Sequence, residues 1–402
     1  MAFTSKTLPP PEPPGPITWM KKNLFSNWFN SLLTLLSIVI IYFAVVGSVT
    51  WTLKTADWRP VLGAPLLYLV GQYSREELWR PGLSLWLLTF LIGMSWGVWG
   101  RYVKAFAIFL AILLGFSAIV PLEAETMTLG VRIAFFVNPI LIYLGYLLGR
   151  SRVIQSSHLV ALWLFVSILI VLVILPGFVG SSLLPKVETT AWGGLMITLL
   201  LAVGGIVLSF PIGVLLALGR RSSLPVVKLF SILFIEIVRG VPLITILFMF
   251  SIILALFLPT ESRIDRILRA LIGMTVFSAA YMAENVRGGL QAIPPGQIEA
   301  AKAIGLNNFQ TMVLIVLPQA LRAVIPSIVG QFISLFKDTT LVVIVGINDL
   351  LGIGKSILST DPEFVRLQAE VYFFIALIFW VFSYFMSYAS SQLEKSLGVG
   401  ER

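Results

Sequence analysis

The chain predicts an all-α integral membrane protein with about ten transmembrane helices, on three observations. First, 58% of its 402 residues are hydrophobic and only 12% are charged, with a mean hydropathy of +0.96, whereas soluble domains carry about a quarter charged residues. Second, apolar runs long enough to cross a bilayer as helix, about 20 residues, recur along its length. Third, the basic residues behind the net charge of +9 stand in ones and twos at the ends of those runs. That placement sets membrane orientation; it does not build a nucleic-acid-binding face. Zero cysteines exclude disulfides and thiolate metal sites, and a single His158, expected at a helix end near the membrane surface, excludes an imidazole cluster. No metal site or resident cofactor is expected in this chain.

Residues 1–27 are proline-rich and read as an irregular cytoplasmic arm. Lys21 and Lys22 precede an apolar run too long for a signal-peptide core, so an uncleaved first span is expected. The candidate spans are 28–52, 82–100, 104–121, 129–149, 158–179, 191–218, 226–257, 267–284, 323–346 and 370–391. The run 61–70 is too short to cross, contains Pro65, and is read as interfacial or re-entrant. Span 226–257 is over-long, and its first part, with Pro225, Lys228, Glu236 and Arg239, is placed near the surface.

With the N-terminus inside, the cytoplasmic connections carry Arg101 and Lys104, then Arg150 and Arg152, then Arg220, Arg221 and Lys228. The outer loop "PLEAETMT" has two acids and no base, as the positive-inside rule expects. Residues 53–81 fit less well, because that outer loop holds Lys54, Arg59, Arg75 and Arg80 against Asp57, Glu76 and Glu77. Both termini then lie in the cytoplasm. The chain divides near residue 186: five plain spans precede it (28–186), a core with intramembrane charges and structured loops follows (187–392), and 393–402 is a cytoplasmic tail.

The connection 285–322 is polar and carefully punctuated. Pro294 and Pro295 suit a helix start, where a missing N–H costs nothing. Ala300, Ala301 and Ala303 present almost no side chain, Gly305 can end the helix in the left-handed region, and Asn307 can cap a second helix through "NFQTMVLIVL" as far as Pro318. Such a helix–turn–helix projection is a docking element for a cytoplasmic partner.

Its residues fit the EAA signature of binding-protein-dependent ABC importer permeases: Glu299-Ala300-Ala301, three residues, Gly305, nine residues, then Ile315, Leu317 and Pro318. The chain resembles the polar and general L-amino acid permeases of that family over about 190–392, through "EIVRGVPLITILF", "YMAENVRGGLQAIPPGQIEAAKAIGL" and "LPQALRAVIPSIVGQFISLFKDTTLV". The N-terminal spans resemble those of the larger subunits. One departure is Thr340, where many relatives carry serine; a hydroxyl is kept.

The resemblance implies a five-helix type I permease core whose coupling helix, 299–305, seats Glu299, Ala300, Ala301 and Gly305 in a separate ATPase. It implies ABC ATPase subunits that hold ATP and Mg, a second permease subunit in a heterodimer, a periplasmic amino-acid-binding protein and L-amino acid substrates. It implies a bacterial inner membrane. The chain would be a non-catalytic translocation subunit. "DLLGIGKS" (349–356) lacks the first glycine of a phosphate loop, having Asp349 there.

Two i, i+3 pairs, Glu236 with Arg239 and Glu284 with Arg287, are expected as same-face salt bridges, either structural or part of an inner gate. Lys337 and Asp338 lie about 20 Å into their span at 1.5 Å per residue, at or past the midplane, where ionisable groups are costly. Lys337 could meet a substrate carboxylate and Asp338 an ammonium, with Thr339, Gln331 and Ser334 on the same path; the alternative is that they only hold the bundle. The outer loop 347–368 offers Asp349, Lys355, Asp361, Glu363 and Arg366 as rim charges for a binding protein, or is an ordinary solvated loop. A rival reading is an ion-gradient-driven secondary transporter or channel, but 1–186 and 187–402 show no repeat, and the docking loop would be unexplained.

Overall fold

The computed structural model describes residues 15–119, 128–151, 153–257 and 264–398. The acidic loop 121–128 lies outside them except for Thr128, as do Arg152 and the first 14 residues of the arm. Among the described residues the chain is all-α. Nine helices are long and apolar enough to cross a membrane, or ten if one sharply bent pair counts as a span.

By contacts the chain forms two units, divided between Trp58 and Arg59. In the first, a short helix Pro16–Asn23 precedes α1 (Trp28–Thr50). Asn27 caps α1 by accepting from the Asn30 N–H at 2.8 Å. None of the α1 residues is buried, and the helix is long and apolar enough to cross a bilayer.

The second unit opens with two short helices, Arg59–Leu62 and Pro65–Val70. Here 61–70 does not cross, because the turn at Gly63–Ala64 and the missing N–H of Pro65 break it. Four long helices follow: α2 (Trp79–Trp99), α3 (Arg101–Ile119), α4 (Leu129–Arg150) and α5 (Ser156–Leu169), the last continued by a π-turn to Ile174. Gly100, at φ +62°, lets α3 start immediately after α2.

The α2–α4 contact is glycine on glycine. A Cβ placed on Gly93 would lie 2.1 Å from the Ile142 carbonyl oxygen, and one on Gly145 would lie 2.3 Å from that of Phe90. Gly97 and Gly149 repeat the pattern one turn on. Backbones meet this closely where lipid supplies no hydrophobic drive and van der Waals packing holds helices together. A Thr89–Asn138 hydrogen bond of 2.9 Å joins the same pair.

The core comprises α6 (Gly194–Arg220), α7 (Pro225–Arg239), α8 (Leu243–Phe248) with a π-turn Met249–Ile253, α9 (Arg266–Gln291), α10 (Pro295–Ala303), α11 (Leu317–Ala323), α12 (Ile325–Asp338), α13 (Leu350–Leu358) and α14 (Gln368–Leu397). The expected span 226–257 is broken: α7 and the helical stretch 243–257 meet at 107°, across Gly240-Val241-Pro242.

Residue 186 marks a change of composition and not a seam in packing. One apolar cluster joins Leu91, Met94 and Leu159 to Trp192, Leu201, Met274 and Leu335. A second cluster, nearer the Arg220 end of α6, is built from core helices, with Ala217, Ile235, Met282 and Ala320. Arg80, expected in a solvated loop, is fully buried. Its Nε lies 2.8 Å from Glu77 and its Nη2 donates to the Pro185 carbonyl at 2.8 Å, so this cation braces 175–187. That resolves the charge mismatch of 53–81 at this position.

At the Gly194 end three backbone segments are stitched together. Gly193 donates to the Val70 carbonyl at 3.2 Å and Gly194, at φ +61°, donates to that of Asn348 at 2.9 Å. The loop 347–368 is no simple solvated rim: Asp349 is buried and caps α13, accepting from the Gly352 N–H at 2.9 Å. Burial raises its carboxyl to about 6. Lys355 and Glu363 remain exposed, and Glu363 pairs with Arg59 at 3.3 Å. The string "GIGKS" is helix, not phosphate loop; Gly354 is small because Ile375 of α14 packs against it.

Candidate functional site

The connection between α9 and α12 folds as a compact projection. Pro294 and Pro295 start α10, and Ala301 is its one buried residue. Glu299, Ala300, Lys302 and Ala303 are exposed, so a near-bare helix face is open to a partner. Gly305 closes the helix at φ +85° with nothing within 4 Å of an added Cβ. There the Leu306 N–H reaches back to the Ala301 carbonyl at 3.1 Å, the pattern of a glycine C-cap.

A reciprocal capping box follows: Asn307 accepts from the Gln310 N–H at 2.8 Å, and Gln310 accepts from the Asn307 N–H at 3.0 Å. Gln319 donates to the Gln297 side chain at 3.3 Å and closes the hairpin. The second helix does not stop at Pro318, as the sequence suggests. A π-turn, Thr311–Val316, runs directly into α11 with Pro318 at its start. The wider turn lets the proline pass without the clash a regular helix would impose. Ile304 and Phe309, 76% and 75% exposed, and Leu314 give the projection an apolar tip.

Beside it, at the same end of α9, lies a charge network. Glu284 accepts from Arg287 Nε at 2.9 and 3.0 Å, as the spacing predicts. The other expected pair is not made. Glu236 meets Arg220 of α6 at 2.8 Å, and Arg239 reaches Glu284 of α9 at 3.5 Å and lies over the Tyr281 ring. Arg220 also lies 3.7 Å from Glu284. The reason is tertiary: α7 crosses the ends of α6 and α9, and each of its charges finds a partner on another helix before finding the other. Three guanidiniums and two carboxylates thus tie α6, α7 and α9 at one point. Sequence reading missed Arg220 because nothing local marks it as more than a helix-end anchor.

Lys337 and Asp338 end α12, where a 3₁₀ stretch Thr339–Val345 takes over. Lys337 and Ser334 are exposed, while Gln331 and Asp338 are half-buried. Neither Lys337 nor Asp338 forms an ion pair among the described residues. Thr339 is wholly buried and donates to the Phe336 carbonyl at 2.7 Å, so its hydroxyl is engaged within its own helix. Among the described residues no cluster of three or more metal-ligating side chains occurs.

The core is thus an all-α membrane bundle with an exposed, alanine-faced helix between two of its spans. Residues 209–399 match the binding-protein-dependent transport system inner membrane component family. The chain is 38% identical to the inner membrane amino-acid ABC transporter permease protein YhdY of Escherichia coli, over 96% of this chain and 94% of that one. It is 34% identical to the glutamate/glutamine/aspartate/asparagine transport system permease protein BztC of Rhodobacter capsulatus, over 95% and 94%. A crystal structure of an amino acid ABC transporter is 30% identical, with a TM-score of 0.46, over 50% of this chain and 92% of that one. The chain belongs to the family of amino-acid ABC transporter permeases. It is a multi-pass permease subunit of an amino-acid importer of the bacterial inner membrane.

Proposed function

We propose that this permease takes up L-amino acids delivered by a periplasmic binding protein, driven by separate ATPase subunits that hold ATP and Mg. The observation that carries the reading is the projection α10–Gly305–Asn307, exposed, rigidly capped and tipped with Ile304 and Phe309. Burying each of these side chains in a groove contributes roughly 1.5–3 kcal/mol. Both termini and this projection lie in the cytoplasm, and a second, different permease chain completes the path. Lys337 and Asp338 face the substrate's charged groups in that path.

The charge network supports a gate beside the coupling element. In this state Glu236 and Arg239 of α7 pair outward, with α6 and α9. When ATPase closure pushes α10 and α7 swings about Gly240-Val241-Pro242, the same two residues stand i, i+3 and can pair with each other, while Glu284 keeps Arg287. Charge therefore stays largely compensated in both arrangements, so the switch between inward-open and outward-open states costs little. The relatives' substrates, acidic amino acids and their amides for BztC, give the class to try first.

Ala303→Cys supplies the one thiol in a cysteine-free chain. A bifunctional cross-linker applied to native membranes then yields a product containing an ATPase of nucleotide-binding-domain size. A thiol that labels readily yet traps no ATPase under any nucleotide condition sinks the coupling assignment.

A further inference from the structure

At the opposite end of the core, Arg269 stands one turn into α9. Its Nη1 donates to the Ser251 carbonyl, and Ser251 is the centre of the π-turn Met249–Ile253. A π-turn displaces the regular bonding, and such turns recur at functional sites. A single donor would satisfy that carbonyl; the sequence supplies a guanidinium with five. Its Nε–H is buried with no acceptor, and so is the hydroxyl of Ser251, a residue only 5% exposed. No carboxylate pairs with Arg269 among the described residues. The nearby Asp265 is occupied: it caps α9 by accepting from the Ile267 N–H at 2.8 Å and accepts from Thr189 as well.

The placement is unfavourable three times over. A cation lies near a helix N-terminus, where the dipole opposes it; it sits within a candidate span, where ionisable groups are costly and mark substrate paths; and its buried Nε–H is left unmet. An anion with two oxygens in a plane answers all three. A carboxylate fits the guanidinium fork bidentately, with the Ser251 hydroxyl as a further donor. We propose that Arg269 and the π-turn at Ser251 form a carboxylate-binding station near the Gly194 end of the permease, which holds the α-carboxylate of the transported amino acid. The identity of this ligand rests on the importer reading above; the anion site itself rests on the geometry.

The test is made on the assembled transporter in proteoliposomes with Ser251→Cys as this chain's one thiol, modification being read by mass spectrometry. The anionic reagent 2-sulfonatoethyl methanethiosulfonate reacts faster than its trimethylammonium counterpart by about ten-fold, the ratio that about 1.4 kcal/mol of attraction gives. Adding Arg269→Gln equalises the two rates, and Arg269→Lys restores part of the difference. L-Glutamine slows the reaction, whereas L-glutaminamide and L-isoglutamine, which lack a free α-carboxylate, do not. Equal rates for both reagents in a folded, assembled Ser251→Cys complex overturn the site. So does a thiol unreactive in both the nucleotide-free and vanadate-trapped states. Equal protection by the α-amides overturns the assignment to the α-carboxylate. Failure of the importer reading shows differently: the unmodified complex then displays no ATP-dependent uptake while the labelling preference persists.

Discussion

Replacing Glu284 with glutamine tests the charge network at its hub. The substitution keeps shape and an acceptor but removes the charge to which Arg287, Arg239 and Arg220 are drawn, the latter two at 3.5 and 3.7 Å. At that separation one pair is worth about 4–5 kcal/mol of gross Coulomb energy at an effective dielectric of about 20. Side-chain exposures of 24–32% and the cost of desolvation leave roughly 1–2 kcal/mol for each interhelical link. Arg239 then has only Glu236 to turn to, on its own helix. The ties of α9 to α7 and to α6 are lost while Arg220–Glu236 keeps α6 and α7 joined, and the balance between gate states shifts about ten-fold.

The assay is ATP hydrolysis by the reconstituted transporter without binding protein, alongside uptake with it. Glu284→Gln raises the uncoupled rate by about an order of magnitude and lowers uptake per ATP. Glu284→Asp, with charge kept on a shorter stem, falls between. A folded, assembled Glu284→Gln transporter whose uncoupled hydrolysis and uptake stay within about two-fold of the original refutes the gate, and the network is then only a structural clamp.

Asp349 makes stability depend on pH. Its carboxyl is raised by burial from 3.8 to about 6, so the folded state holds the proton more tightly than the unfolded one. Its contribution is fully present below pH 3.8 and is lost as pH rises through about 6. Asp349→Asn, which keeps an oxygen to cap Gly352, flattens that slope in thermal unfolding and raises Tm at neutral pH; an unchanged slope contradicts the assignment. Gly145→Leu drives a side chain into the Phe90 carbonyl and costs about 3 kcal/mol or more, seen as loss of folded protein by fluorescence-detected chromatography, whereas Gly82→Leu, with nothing within 4 Å, is tolerated. Phe309→Ala removes the tip of the coupling projection and weakens ATPase association about ten-fold or more, measured by co-purification against ATPase concentration; equal recovery contradicts a docking role.

Much of this molecule is written locally. Span count and type follow from apolar length, because a bilayer accepts only runs that satisfy every backbone group internally. The projection between α9 and α12 was legible residue by residue, since proline starts, a glycine stop and an asparagine cap act within a few positions. Glu284 with Arg287 was legible for the same reason. What the sequence alone could not settle depends on which helices cross. Glu236 abandons its i+3 neighbour for Arg220, sixteen positions back. Arg80, loop-like on paper, becomes a buried brace through a carbonyl more than a hundred residues away. The glycines of α2 and α4 carried a readable small-residue spacing, but only packing shows which helices meet. Asp349 and Ser251 with Arg269 were invisible, because burial and a π-turn's displaced carbonyl exist only once distant segments are brought together. Local chemistry determined the elements and their caps; the pairing of charges and the burial of polar groups were decided by tertiary contact, which competes with sequence neighbours and here wins.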